Sequence, residues 1–140
     1  MALTKDRNTR IRAQGTNRHR RRKLAAVKCF KGGIAAINAA GYLTPATDTA
    51  GLKVVGIFDE TVDNSAGAAG DKEASYTTGV EVELDHAAAI VQATLQAYVV
   101  DDQTVTTAGV AVNDVPVGNV AEFTAAKAWV FIDEAVNLKP

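Results

Sequence analysis

Two kinds of hydrophobic patterning follow one another along the chain. Residues 1–22 have no apolar periodicity, because Leu3 and Ile11 stand alone among Arg, Thr, Asn and Gln. From Leu24 onward, short apolar stretches rich in Ala and Val recur between turn residues, which is typical of thin β-sheets. The pattern predicts an arm that is disordered until it binds a partner, followed by a β-rich domain.

The apolar stretches predict about eight short strands. The clearest is "EASYTTGVEVEL", in which Val80, Val82 and Leu84 alternate with Glu81 and Glu83. This strict period of two predicts a half-buried strand whose acidic outer face discourages edge pairing. Further strands are predicted in "LAAVKCF", twice in "KGGIAAINAAGYLTP", in "LKVVGIFDETV", on both sides of the Asp-Asp turn of "AYVVDDQTV", in "VPVGNVAEF" and in "KAWVFID".

One stretch has helical rather than strand periodicity. In "HAAAIVQATLQAY", the larger apolar residues Ile90, Val91, Leu95 and Tyr98 recur at roughly helical spacing. The chain is therefore predicted to be all-β: a small β-barrel or sandwich of about eight short strands, with one short helix and an extended basic N-terminal arm. The predicted boundaries are residues 1–23 for the basic arm and 24–140 for the β-rich domain.

Charge is strongly segregated between the two parts. Residues 1–31 contain eleven Lys or Arg and one Asp, a net charge of +10, whereas residues 32–140 contain four Lys and fifteen Asp or Glu, a net charge of −11. Five of six positions from Arg18 to Lys23 are cationic. A basic arm on an acidic body indicates a protein that works through interactions, and we take eight cations as candidate partner contacts: Arg7, Arg10, Arg12, Arg18, Arg20, Arg21, Arg22 and Lys23.

The sequence gives little indication of catalysis or cofactor binding. Neither His19 nor His86 lies at metal-ligand spacing from another ligand, and the acidic cluster around residues 59–64 does not match an EF-hand loop. No nucleotide-binding or nucleophile motif is present. We therefore expect no enzyme activity, no cofactor and no bound metal, and we interpret the single cysteine, Cys29, as a small buried hydrophobic residue.

The location of the protein is also constrained by hydropathy. No stretch approaches the eighteen or so apolar residues of a membrane span, and the charged N-terminus precedes no apolar signal segment. We expect neither a membrane protein nor a Sec-secreted one, and the single cysteine, Cys29, fits synthesis in a reducing cytoplasm.

The stretch "INAAGYLTPATDTAGLKVVGIFDETVDNSAGAAGDKEASYTTGVEVEL", followed by "AYVVDDQTV" and "AWVFI", resembles the phage head decoration proteins, also called capsid cement proteins. The features that carry the resemblance are Gly41-Tyr42 with Pro45 just after it, an acidic end to "AGLKVVGIFDE", a central Gly79-Val80 and a strand around Trp129 near the C-terminus. The resemblance covers residues 30–132. It implies a β-rich domain, usually trimeric, that binds the outer surface of the head and clamps neighbouring major capsid subunits. The basic arm lies outside it.

Three hypotheses account for the basic arm. It is an electrostatic strap that pairs with carboxylates of the capsid or of a neighbouring copy, where many weak contacts act together. Alternatively it binds nucleic acid, which is less favoured because the arm has no aromatic residue for stacking and the acidic body repels phosphates. A third hypothesis is an oligomeric β-domain or enzyme accessory with an incidental basic tail.

The strap hypothesis leads to two predictions about folding and assembly. Deletion of residues 1–23 should leave a folded oligomer that no longer decorates heads. Charge reversal at Arg20, Arg21 and Arg22 should weaken assembly without affecting thermal unfolding, because these side chains are expected to lie outside the core.

Overall fold

The computed structural model describes residues 2–86, 95–107 and 111–138, the side chains of residues 14–16 excepted. These residues form eleven strands and one short helix. The elements are β1 (Ile11–Lys23), β2 (Lys28–Cys29), β3 (Ile34–Ile37), β4 (Leu43–Pro45), β5 (Lys53–Phe58), β6 (Val62–Asp63), β7 (Glu73–His86), β8 (Gln96–Val99), β9 (Thr104–Thr106), β10 (Pro116–Phe123), β11 (Lys127–Ile132) and α1 (Glu134–Asn137). The prediction of an all-β protein with one short helix is confirmed.

Five strands close into a barrel, in the order β7, β9, β8, β10 and β11, with β11 returning to β7. The pairings around it are antiparallel except that of β7 with β9. Val80, Val82 and Leu84 are buried in the barrel core, whereas Glu81 and Glu83 remain half-buried. The predicted period-two strand with an acidic outer face is therefore confirmed.

A second group of strands extends the sheet beyond the N-terminal half of β7. Strands β5, β3 and β4 follow one another there, and β2 pairs with β6. Their apolar side chains form a second core with Phe58 and Tyr76. Cys29 is fully buried in this core, and burial raises the pKa of its thiol to about 11. Its interpretation as a small buried hydrophobic residue is confirmed.

Two local predictions need correction. The helix predicted over "HAAAIVQATLQAY" is wrong at its C-terminal end, because Gln96–Val99 form β8 and pair with β9 and β10. Residues 87–94 lie outside the described residues. The observed helix is α1, which follows Asp133, whose side chain caps it by accepting a hydrogen bond from the Ala135 N–H.

The basic arm is not disordered over residues 11–23, as the sequence had led us to expect. This segment forms β1 and pairs antiparallel with β7 from Ile11–Val82 to Lys23–Glu73. The residues before β1 also contact the body, since the Arg7 N–H donates to the Lys31 carbonyl at 2.8 Å and the Leu3 N–H to Asp102 Oδ1 at 2.8 Å. Carboxylates beside β1 offset the repulsion between its cations, which is why an arginine-rich segment can be ordered.

Candidate partner-binding strand

A register shift divides β1 into two halves that present their side chains differently. Between the pairs Ala13–Val80 and Arg18–Thr78, β1 advances five residues while β7 advances two. Gly79 lies opposite the shift with φ of 73°, a left-handed conformation that glycine adopts without strain. The register thus shifts by three residues, an odd number, which reverses the face on which each side chain lies. Even-numbered residues of β1 lie on the outer barrel face before the shift and on the opposite face after the shift.

Before the shift, the arginines lie on the acidic outer face of the barrel. The Arg12 guanidinium is 2.5 Å from Glu81 Oε1 and 3.2 Å from Glu122 Oε1, and its Cζ lies 3.9 Å from the centroid of the Trp129 ring. Arg10 is 3.5 Å from Glu83 Oε2 and also approaches Trp129, at 5.5 Å. Stacking on an aromatic face and pairing with carboxylates together fix these side chains across β7, β11 and β10.

After the shift, arginines reach a buried carboxylate on α1. Glu134 is 4% exposed, and its carboxylate pairs with Arg20 and, at 3.7 Å, with Arg22. The Tyr76 hydroxyl donates to Glu134 Oε2 at 2.7 Å and accepts from Arg22 Nε at 2.7 Å. Arg18 pairs with the neighbouring carboxylate of Asp133 at 3.2 Å. This network joins β1, β7 and α1.

The network changes the acid–base properties of its members. Burial, and then the hydrogen bond to Glu134, raise the pKa of Tyr76 to about 12. The hydrogen bond to Tyr76 is the main cause that raises the pKa of Arg22 above its usual value. Tyr76 is thus kept neutral and Arg22 charged at physiological pH.

The odd-numbered residues after the shift lie on the other face. Arg21 is 3.3 Å from Glu60 Oε2, which also accepts a hydrogen bond from the Ser75 hydroxyl at 2.6 Å. His19 Nδ1 is 3.3 Å from Asp59 Oδ2. Lys23 lies opposite Glu73 in the ladder to β7, but no salt bridge of its ammonium group is found among the described residues.

Seven of the eight predicted contact residues therefore pair with carboxylates of their own chain. Arg7 completes the set at 3.6 Å from Asp85 Oδ1. Arg20 and Arg22 lie outside the hydrophobic core, as expected, but both contact the buried Glu134, and Arg22 also contacts the buried Tyr76. Charge reversal there, or deletion of residues 1–23, should destabilise the domain itself.

Sequence reasoning missed three residues on which the arrangement depends. The sequence marks Trp129 only through the resemblance, and no pattern or motif marks Tyr76 or Glu134. Glu134 directly follows a predicted strand, a position where an acidic residue is ordinarily exposed. Its burial depends on where α1 packs, so no signal in the sequence identifies it.

Other candidate polar groups form hydrogen bonds within the chain. Asp59 accepts from the Thr77 hydroxyl at 2.5 Å, Asp63 Oδ1 from the Ser65 N–H at 3.0 Å, and Asn64 Nδ2 donates to the Ala25 carbonyl at 3.0 Å. Residues 2–86, 95–107 and 111–138 contain no group of three or more His, Cys, Asp or Glu that could hold a metal ion. Among the same residues, no helix is long and apolar enough to cross a membrane.

Comparison of the chain with family models, with curated proteins and with solved structures finds no match.

Proposed function

We propose that this protein is a structural virion protein that binds the outer surface of a phage capsid and cements neighbouring major capsid subunits. The resemblance of residues 30–132 to head decoration proteins supports this proposal. We further propose that it acts as a homo-oligomer, a trimer as in that family, without enzymatic activity and without a cofactor.

The observation that carries the proposal is the uncovered edge of β1. A closed barrel has no strand edges, yet β1 adds a thirteen-residue strand beside β7 and pairs with no second strand in the described part of the chain. Because β1 lies alongside the ten residues of β7 from Glu73 to Val82, it spans roughly 30 Å at about 3.4 Å per residue. A long, fixed strand on the outside of a small barrel suits a protein that holds other proteins together.

The strap proposal changes in one respect. Most arginines of the basic arm pair with their own barrel, so we propose that the strap acts first within the chain, by fixing β1 in place. Contacts to the capsid then come from the edge of β1 and from cations without a carboxylate partner, of which Lys23 is the clearest example.

Binding to heads that lack this protein tests the proposal. The wild-type chain should co-sediment with such heads and raise the temperature at which they release DNA. Lys23→Glu should weaken binding, because it reverses a cation on the proposed contact strand, whereas Lys53→Glu, an equal change in charge on β5, should bind like wild type. A wild-type chain that stays in the supernatant at low salt would refute the capsid function.

Nucleic-acid binding through the basic arm is the alternative proposal. Phosphates would have to displace Glu81, Glu122, Asp133 and Glu134 from the arginines that they contact. This competition makes the alternative weaker than the sequence alone would indicate.

A further inference from the structure

The edges of the described sheet differ greatly in their capacity to accept another strand. The barrel strands close on themselves, and β4 is three residues long and ends in Pro45. β1 is long and contains no proline, and residues 19–23 near its C-terminal end are mostly exposed. We call residues 19–23 the cationic edge.

The backbone groups that point away from β7 can be assigned from the ladder. The Asp59 N–H donates to the Ser75 carbonyl at 3.0 Å, so the backbone of Ser75 points toward β5 and that of its neighbour Tyr76 points toward β1. Tyr76 is paired with Arg20, whose backbone therefore points toward β7. By alternation, three residues of the cationic edge direct their N–H and C=O groups outward: His19, Arg21 and Lys23.

The charge of the cationic edge selects the partner. Its four cations, Arg20 to Lys23, exceed the three carboxylates that its side chains contact, which are Asp59, Glu60 and Glu134. Arg20 and Arg22 share one of these carboxylates. A second copy of the chain pairing edge to edge would place cations opposite cations, which is destabilising. A strand with carboxylate side chains would instead place opposite charges together.

We propose that the cationic edge is a docking site for an extended, carboxylate-bearing segment of another protein, which adds to β1 through backbone hydrogen bonds. The outward groups of His19, Arg21 and Lys23 make these bonds, and the exposed ammonium group of Lys23, which forms no salt bridge within the described residues, contacts a carboxylate of the segment. The identification of this segment with a major capsid subunit rests on the proposed function. The strand-docking chemistry does not.

A proline substitution separates the backbone contact from the side-chain contact. His19→Pro removes an outward N–H but leaves the ladder to β7 intact, because a strand-edge proline is tolerated where its N–H would face away. The matched control is His19→Ala, which loses the same contacts with Asp59 and Thr77 but keeps the N–H. Arg21→Pro and Arg21→Ala form a second pair in case His19→Pro does not fold.

The expected result is that the proline variant binds heads about tenfold more weakly than its alanine control, since a docking hydrogen bond is lost and the ring blocks the approach of the strand. If the wild-type chain binds heads and the proline and alanine variants bind them equally well, the docking edge is overturned, whereas the proposed capsid function is not.

If the wild-type chain does not bind heads, the capsid function fails and the edge is tested separately. The probes are then two octapeptides, one alternating Glu and Val and one alternating Lys and Val. Slower amide exchange of His19, Arg21 and Lys23 with the Glu peptide, but not with the Lys peptide, supports the docking edge. The same exchange rates with both peptides would overturn it.

Discussion

The buried carboxylate of Glu134 gives the sharpest prediction about stability. Replacing Arg20 and Arg22 together by Ala leaves this carboxylate, whose side chain is 5% exposed, with Tyr76 as its only remaining side-chain partner among the described residues. Removal of the partners of a buried charge costs about 3–5 kcal/mol. We therefore expect the double variant to lose about that much free energy of unfolding.

A third substitution identifies the cause of the loss. Adding Glu134→Gln to the double variant removes the uncompensated charge while keeping an oxygen that accepts from the Tyr76 hydroxyl. We expect this triple variant to recover more than half of the loss, because the cost comes from the buried charge rather than from the missing arginine stems.

Urea unfolding measured by the fluorescence of the single tryptophan, Trp129, provides the assay. Arg21→Ala is the matched control, because the side chains of Arg21 and its partner Glu60 are 54% and 37% exposed. An exposed ion pair of this kind should contribute only about 0–1 kcal/mol to the free energy of unfolding. A double variant no less stable than Arg21→Ala, or a triple variant no more stable than the double, would refute the assignment of Glu134 as a buried, arginine-compensated charge.

The remaining predictions concern titration, stacking and nucleic acid. Folding raises the pKa of Cys29 to about 11 and that of Tyr76 to about 12, from ordinary values near 9 and 10. The two groups therefore stabilise the fold fully below their ordinary pKa values, and this stabilisation is lost as pH rises through the folded-state values. Unfolding midpoints that stay constant from pH 9 to 12 would contradict this. At pH 8, a thiol reagent should modify Cys29 only in denaturant, and rapid modification of the native protein would show that the thiol is accessible. Arg12→Ala should lower the free energy of unfolding by about 1–2 kcal/mol and shift the emission of Trp129 to longer wavelength, and unchanged emission would exclude the observed stacking. In a mobility-shift assay at physiological salt, the protein should leave random-sequence DNA unshifted; a shift that disappears as salt rises would favour the nucleic-acid alternative.

Much of the strand content was predictable because strand periodicity is local. The alternation of Val80, Val82 and Leu84 with glutamates identifies β7 and both of its faces, and the turn at Asp101-Asp102 identifies β8 and β9 on either side of it. The helix predicted over residues 86–98 overlaps β8 and is wrong at residues 96–98, where pairing of β8 with β9 and β10 prevails over a helical spacing of apolar residues.

The candidate site was predictable only in its composition. The eight cations could be listed from the sequence, but their partners could not. Where a side-chain hydrogen bond joins an arginine to a carboxylate, the two residues are 39 to 115 positions apart in the chain. Which of them meet β1 depends on the register shift opposite Gly79, which no local pattern specifies.

By itself, the sequence determined that a β-rich acidic body carries a strongly basic N-terminal segment, because composition and period-two alternation are properties of neighbouring residues. Only the tertiary structure decided that this segment becomes a strand that joins the sheet of the body beside β7. There Arg12 stacks on Trp129, and Arg20 and Arg22 lie beside the buried Glu134. The physical reason is that charge attraction acts between whatever groups the fold brings together. The same arginines would remain extended and solvated without the carboxylates that β7, β10 and α1 place beside them.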